Sequence, residues 1–279
     1  MRWRTSLQGG CPTINLGNCR TASKGQGIRD PCAPIVIKKE PGNMTPMTPA
    51  KPAQNATPHL PEDFDSRISG VLPYYSCFHQ ETINFVKSMP SVPKIWLDTG
   101  CGTGSLVNKA IEEFPTTKFL LLDPSEGMLN QARKKLSSCP ANRLEFLKAS
   151  STQEFSQEIE EKPDIITAIQ CHHYLNREGR ARATDMCYNL LKEGGVYITF
   201  ENIRPLTEEG ILAGKRYWQN FQLTHGRTED ETQEHLKRFD TEYFPITVEE
   251  HLELLRETGF RTVELFWYSY MQAGFYCIK

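Results

Sequence analysis

Asp98-Thr99-Gly100-Cys101-Gly102-Thr103-Gly104 follows a short apolar run, Lys94-Ile95-Trp96-Leu97, and precedes Ser105 to Phe114, which carries helical periodicity. A strand that turns through glycines into a helix is the opening unit of an open α/β sheet. Glycines in that turn permit a tight bend and bring a ligand against the main chain with no Cβ in the way. Toward the C-terminus the alternation continues. Lys118 to Asp123 reads as a strand, Gly127 to Ser137 as a helix, Leu144 to Lys148 as a strand and Phe155 to Glu160 as a weak helix. Asp164 to Gln170 reads as a fourth strand, Arg177 to Leu191 as a helix broken at Gly194-Gly195, and Val196 to Glu201 as a fifth strand. Strands and helices alternating on short connections predict parallel βαβ units and a sheet covered on both faces.

Two flanks complete the pattern. Phe64 to Leu72 and Tyr74 to Lys87 read as helices before the first strand. Residues 203–245 break the rhythm: they are polar, helical over Arg216 to Leu223 and Glu229 to Arg238, and long for a simple connection. An insertion of that size reads as a helical lid or substrate-binding element. Val248 to Thr258 is then a helix ended by Gly259, and Arg261 to Tyr270 and Gly274 to Ile278 are strands. Gln272-Ala273-Gly274 leaves no room for a crossover, so these two strands should form an antiparallel hairpin. The expected fold is α/β and Rossmann-like over residues 61–279, with a mostly parallel seven-stranded sheet.

Composition bounds the function. With 279 residues, 38% hydrophobic and 24% charged, the chain suits a soluble globular domain with an appended tail. No run approaches the roughly 18 apolar residues that a membrane helix needs, so no membrane role is expected. The net charge of −2 hides an asymmetry: residues 1–60 carry eight Lys/Arg against Asp30 and Glu40, leaving the remainder acidic. An acidic body is no obvious nucleic-acid binder. The first 60 residues, rich in Pro, Gly, Ser, Thr and Asn, are expected to be a disordered basic tail, and Ile37-Lys38-Lys39-Glu40 within them matches a short sumoylation-type pattern. The nine cysteines are scattered and form no CxxC pair. No zinc or other metal site is therefore expected, and the compartment is read as reducing and cytoplasmic.

The surroundings of the glycine loop discriminate between ligands. Gly100-x-Gly102-x-Gly104 differs from the GxGxxG of dinucleotide sites, which would also offer a helix N-terminus to a pyrophosphate. Asp98 places a carboxylate where an ammonium group can be engaged. Asp123 ends the second strand about 20 residues after the loop, where an acid accepts hydrogen bonds from ribose hydroxyls. The plainer alternative makes the glycines turn residues only and Asp123 a helix cap.

On Leu97-Asp98-Thr99-Gly100-Cys101-Gly102-Thr103-Gly104, Leu122-Asp123-Pro124-Ser125-Glu126-Gly127-Met128 and Lys192-Glu193-Gly194-Gly195, residues 61–279 resemble the class I S-adenosylmethionine (SAM)-dependent methyltransferases. The resemblance implies SAM as cofactor and S-adenosylhomocysteine as product. It implies that the loop, with Asp98, Gly100, Gly102 and Gly104, cradles the methionine part, that Asp123 holds the ribose, and that Met128 flanks the adenine. The chain departs from the family at Lys148-Ala149-Ser150-Ser151, which lacks the acid that reads the adenine amino group; main-chain groups around Ala149 and Ser150 are expected in its place. It departs again at Gln170-Cys171-His172-His173-Tyr174, which is no Asn-Pro-Pro-Tyr or Asp-Pro-Pro-Tyr signature of amino-group methyltransferases.

Because SAM carries an activated methyl group, the enzyme mainly positions a nucleophile and removes a proton where needed. Candidates gather past the carboxyl ends of the strands: Gln170, counted with the cofactor site, His172, His173 and Tyr174, then Glu201, Asn202 and Arg204. His173 is the candidate base, since an unperturbed imidazole titrates near neutrality. Glu201 would orient a substrate amine or take a proton; packing and strand-end capping are the plain alternatives for both. Trp218, Phe221, Tyr243 and Phe244 wall the pocket or serve as core. The acceptor is expected to be a small molecule, and Phe266-Trp267-Tyr268-Ser269-Tyr270, if exposed, would form a homodimer surface.

Asp65-Ser66-Arg67-Ile68-Ser69-Gly70-Val71-Leu72-Pro73-Tyr74-Tyr75, with Val248-Glu249-Glu250-His251, Gly259-Phe260 and Glu264-Leu265-Phe266-Trp267, is similar to the carboxy-S-adenosylmethionine synthases. These are class I relatives that make a carboxylated SAM used in transfer-RNA wobble-uridine modification. That similarity implies Arg67, with Tyr75 nearby, over the amino-acid end of SAM. The family's arginine for the extra carboxylate lies shortly before the last helix, and Arg238 matches it only across a gap. Cys101-Gly102-Thr103-Gly104 also differs from that family's Cys-Ser-Leu-Gly type loop. Ordinary methyl transfer therefore ranks first, a carboxylated cofactor second and a non-catalytic SAM binder third; a nicotinamide dehydrogenase would need the GxGxxG loop that is missing.

Overall fold

The structure is a computed structural model describing residues 60–279. Apart from Leu60, the expected disordered tail and its Ile37–Glu40 pattern lie outside the described residues. One seven-stranded sheet organises the domain, in the order β3-β2-β1-β4-β5-β7-β6. The strands are β1 (Ile95–Thr99), β2 (Lys118–Leu122), β3 (Leu144–Phe146), β4 (Ile165–Ile169), β5 (Val196–Asn202), β6 (Thr262–Ser269) and β7 (Gln272–Ile278). The first five run parallel, and β7 pairs antiparallel with both β5 and β6, as the hairpin reading required.

Successive residues of the central strands feed two cores. Trp96, Phe119, Ile165 and Val196 enter one core with Phe78, Leu106 and Val107 of the helices α2 (Tyr75–Lys87) and α3 (Ser105–Glu113). Leu97, Leu120, Ile166 and Tyr197 enter the other with Cys187 of α5 (Arg177–Leu190) and Leu255 of α8 (Val248–Thr258). Burial on both faces explains why the strand sequences show no polar alternation. Strand order reverses between β1 and β4, so the crevice for a ligand opens past their carboxyl ends.

Two expectations are corrected. Phe155 to Glu160 forms no helix; a single 3₁₀ turn over Thr152–Glu154 precedes an irregular segment. Glu158, Glu160 and Glu161 would crowd the negative end of a helix dipole there, and Pro163 disfavours helical backbone at Lys162. Phe155 is still buried, as a core anchor within the loop. The hairpin turns at Tyr270-Met271, two residues earlier than the sequence suggested, with Tyr270 at φ 52°. Gly274 lies instead inside β7, where a Cβ would come within 2.6 Å of the Phe200 ring. It is a packing glycine.

The 203–245 segment contains α6 (Glu208–Thr224) and α7 (Glu229–Lys237). Trp218 is fully buried and its indole N–H donates to the Val71 carbonyl at 2.7 Å, fastening α6 to α1 (Phe64–Val71). Strand β6 is the sheet edge, with Leu265 and Tyr268 exposed, whereas Trp267 packs edge-on against Phe78 at 5.0 Å. No described helix is long and apolar enough to cross a membrane.

Candidate functional site

A cleft of about 1070 Å³, counted out to solvent, lies over the carboxyl ends of β1, β2 and β4. Its floor is the glycine loop. Gly100 adopts φ 63°, and a Cβ there would fall 2.4 Å from the Cys171 Cβ, so both conformation and space exclude a side chain. Gly102 also faces the cleft, whereas Gly104 caps α3 behind the loop without lining it.

Two buried acids flank this floor. Asp98 is 2% exposed and accepts one hydrogen bond, from the Thr167 hydroxyl at 2.7 Å. Burial, with the negative charge of Asp123 adding to it, pushes the Asp98 carboxyl up to about 7. Asp123 accepts the Gly102 and Ser125 backbone N–H groups at 2.9 and 2.8 Å; burial nevertheless raises it to about 6. Two carboxylates held this way in a cleft suit a ligand that brings an ammonium and hydroxyl donors. Met128, at the start of α4 (Glu126–Lys135), lines the same end.

Gln170 follows β4 at φ 57°, an unfavourable conformation for a residue other than glycine. It lines the cleft, and neither its amide oxygen nor its amide nitrogen has a hydrogen-bond partner although both atoms are buried. Strain and an unsatisfied amide at one position make Gln170 a candidate ligand contact. Gln170→Gly should raise the melting temperature of the ligand-free protein by about 2–4 °C, relieving about 1 kcal/mol, and weaken ligand binding. A lowered melting temperature in a thermal scan would make the side chain structural instead.

The paired histidines diverge. His172 turns into the protein, its Nε2 3.2 Å from Thr152 Oγ1 and its Nδ1 3.3 Å from the Tyr197 hydroxyl, and burial pushes it down to about 4. His173 lines the cleft. Its Nδ1 and its backbone N–H each lie 2.9 Å from Glu201 Oε2, while Glu201 Oε1 accepts the His172 backbone N–H at 3.2 Å. Glu201 is 1% exposed and does not line the cleft, so it holds His173 and does not meet a substrate. An ionised carboxylate can only accept, so Nδ1 carries the proton of that bond and Nε2 is the nitrogen left for a substrate. Cys171, His172 and Glu201 also present atoms within 4.8 Å of one another, the spacing of a metal site, but these atoms are committed to hydrogen bonds.

Other expected residues are distributed as follows. Tyr75 lines the cleft. Arg67 does not: its side chain is 58% exposed and lies 4.0 Å from Asp63 on the outer side of α1. Ala149 and Ser150 stay outside the lining, although the Ser150 N–H reaches the Asp123 carbonyl at 3.2 Å. From the 203–245 segment come His235, Arg238 and Tyr243; of the four aromatics considered, Tyr243 alone lines the cleft. His79 is a cleft residue that motif reading missed, yet it stands one helical turn after Tyr75, a spacing that places both on one face of α2.

Residues 97–197 match a methyltransferase-domain family. The chain is 25% identical over 208 residues to the carboxy-S-adenosyl-L-methionine synthase of Campylobacter lari, an alignment covering 72% of this chain and 84% of that protein. Among solved structures it is similar to an O-methyltransferase family protein from Burkholderia thailandensis, at 14% identity and TM-score 0.51, over 77% of this chain and 62% of that one. It therefore spans less than two thirds of the Burkholderia chain. The magnesium protoporphyrin IX methyltransferase of Synechocystis PCC 6803, with bound S-adenosylhomocysteine, matches at 14% identity and TM-score 0.55, over 76% of this chain and 86% of that one. The fold is that of the class I SAM-dependent methyltransferases, with a resemblance to the carboxy-SAM synthases.

Proposed function

We propose that this chain is a SAM-dependent methyltransferase acting on a protic small-molecule acceptor, with His173 as the general base. The observation that carries the reading is the buried His173–Glu201 pair on the wall of a cleft floored by the glycine loop. When bound, SAM supplies an activated methyl group. Asp98 would engage its ammonium, Asp123 its ribose hydroxyls, and Met128 its adenine. His173 Nε2 accepts the acceptor's proton as the methyl group is taken up, and Glu201 stabilises the resulting imidazolium. Walls drawn from α1, α2 and the 203–245 segment line the cleft and support the reading of a small acceptor.

One observation favours a second reading. Arg238 is 9% exposed, lines the cleft, and has the Tyr174 and Tyr243 ring centroids within 5.9 and 5.8 Å of its guanidinium carbon. A guanidinium so placed, with its Nε donating to Glu242 Oε2 at 2.6 Å, suits a carboxylate on the sulfonium substituent, in keeping with the Campylobacter relative. Calorimetric titration of SAM and S-adenosylhomocysteine into wild type and Asp123→Ala tests the common premise, and mass spectrometry of co-purified ligand separates the two forms. Micromolar binding that collapses in the variant is the expected result. Absence of binding by the wild type removes both readings, and binding without turnover on any nucleophile leaves a non-catalytic SAM protein.

A further inference from the structure

Resting on the SAM reading, we propose that His79 anchors the carboxylate at the amino-acid end of the cofactor. His79 is 3% exposed and lines the cleft together with Asp98, Gly100, Cys101 and Leu106. Its ring packs on Tyr75, on which the Asp98 charge acts, and this puts His79 at the end where Asp98 would take the ammonium. In an α-amino acid the carboxylate carbon is bonded to the same carbon that bears the ammonium nitrogen, so its donor must stand close to the ammonium site. Arg67, the residue that the family resemblance would put there, lies outside the cleft with Asp63.

The neighbouring charges leave the role to the imidazole. Asp65 on α1, Lys109 on α3 and Lys135 on α4 all act on His79, and none of the three lines the cleft. Lys135 is committed to Asp65 at 2.6 Å and to the hydroxyls of Thr103 and Ser105, and Lys109 is exposed with its Nζ 3.5 Å from the Ser76 carbonyl. The other basic groups lining the cleft, His173, His235 and Arg238, come from the end of β4 and from the 203–245 segment. Neither ring nitrogen of His79 has a hydrogen-bond partner among the described residues; its ring instead packs edge-on against Tyr75 at 4.8 Å. Burial, reinforced by the two lysines, pushes the imidazole down to about 3, so the free cleft holds a neutral ring with one N–H to donate. An anion arriving beside it strengthens that donor.

Decarboxylated SAM, which keeps the ammonium, ribose and adenine, isolates the contact. Titrated into wild type, it should bind about 10–100-fold more weakly than SAM, the range of a hydrogen bond to a charged group. His79→Leu should weaken SAM by a similar factor and leave decarboxylated SAM within about twofold, erasing the preference. His79→Phe keeps the ring that packs on Tyr75 and is read the same way if the leucine variant does not fold. Equal losses for both ligands would make His79 a packing residue and overturn the proposal, as would unchanged affinity for both. A wild type that binds neither ligand overturns the SAM reading itself, and with it this inference.

Discussion

Glu201→Ala should lower the unfolding free energy by about 4 kcal/mol and reduce kcat about 10³-fold, with Glu201→Gln falling between it and wild type. The reason is the number of donors directed at one buried carboxylate. Three N–H groups converge on it, the His172 and His173 backbones and the His173 ring, and the Thr199 hydroxyl stands 3.0 Å from Oε1. Alanine leaves the three N–H groups without their acceptor. Glutamine keeps one oxygen, and Thr199 has the Ala168 carbonyl at 2.9 Å as a second acceptor, so the His172 contact bears most of that loss. Burial pushes the Glu201 carboxyl up, but the hydrogen bond from His173 and the charges of His173, His172 and His251 outweigh it and hold the group down at about 2. A depressed carboxyl contributes stability that is present above its ordinary value of 4.5 and is lost as pH falls toward 2. Wild type should therefore lose its margin over Glu201→Ala across that interval in denaturant titrations. Loss of stability with kcat kept within about threefold would show that Glu201 only staples the β4 and β5 ends together, and that His173 needs no such orientation.

The sheet was readable because its strands are uninterrupted apolar runs punctuated by glycine or acid, which parallel burial demands. Residue-level siting was readable only where the backbone fixes direction. Asp98 and Asp123 end strands, and strand ends at the switch point face the crevice whatever the side chain does. His172 and His173 are adjacent, and no periodicity separates them. Their split follows from a 3₁₀ turn that sends one to Thr152 and Tyr197 and the other to the cleft. Arg67 shows the converse. Helix phase sets Phe64, Ile68, Val71 and Leu72 toward the cleft and leaves position 67 at the margin of that stripe, where a long cation turns to solvent and Asp63. The same phase carries Tyr75 and His79 inward on α2, but a histidine on an apolar face looks like core until the cavity beside it is known. Residues 155–160 carry apolar Phe155 and Ile159 at helical spacing, but the acids there destabilise a helix and the segment stays irregular.

Asp98→Asn should make the ligand-free protein more stable, by about 3 kcal/mol or 5–10 °C at pH 8, while weakening SAM about 100-fold. Asparagine is nearly isosteric, and its carbonyl oxygen can keep the bond from the Thr167 hydroxyl, itself held by the Trp96 indole N–H at 3.0 Å. What changes is the charge. Asp98 is buried with no basic partner among the described residues, and desolvation, aided by Asp123, lifts its carboxyl to about 7. A group raised above its ordinary 3.8 contributes stability that is complete below that value and lost as pH rises through the folded one. Ligand-free wild type should thus lose stability between pH 4 and pH 8 relative to Asp98→Asn. Saturating SAM should bring the two proteins close to equal stability, because its ammonium supplies the counter-charge that the fold withholds and binding about 100-fold tighter returns about 2.7 kcal/mol to wild type. The decisive comparison is a pair of thermal-unfolding series across pH, with and without SAM. Parallel curves for the two proteins would mean that Asp98 is already compensated within the protein, and the cleft would not be built around an ammonium. Curves that diverge without ligand and converge with it would identify Asp98 as a charge kept at the expense of stability for the cofactor it receives.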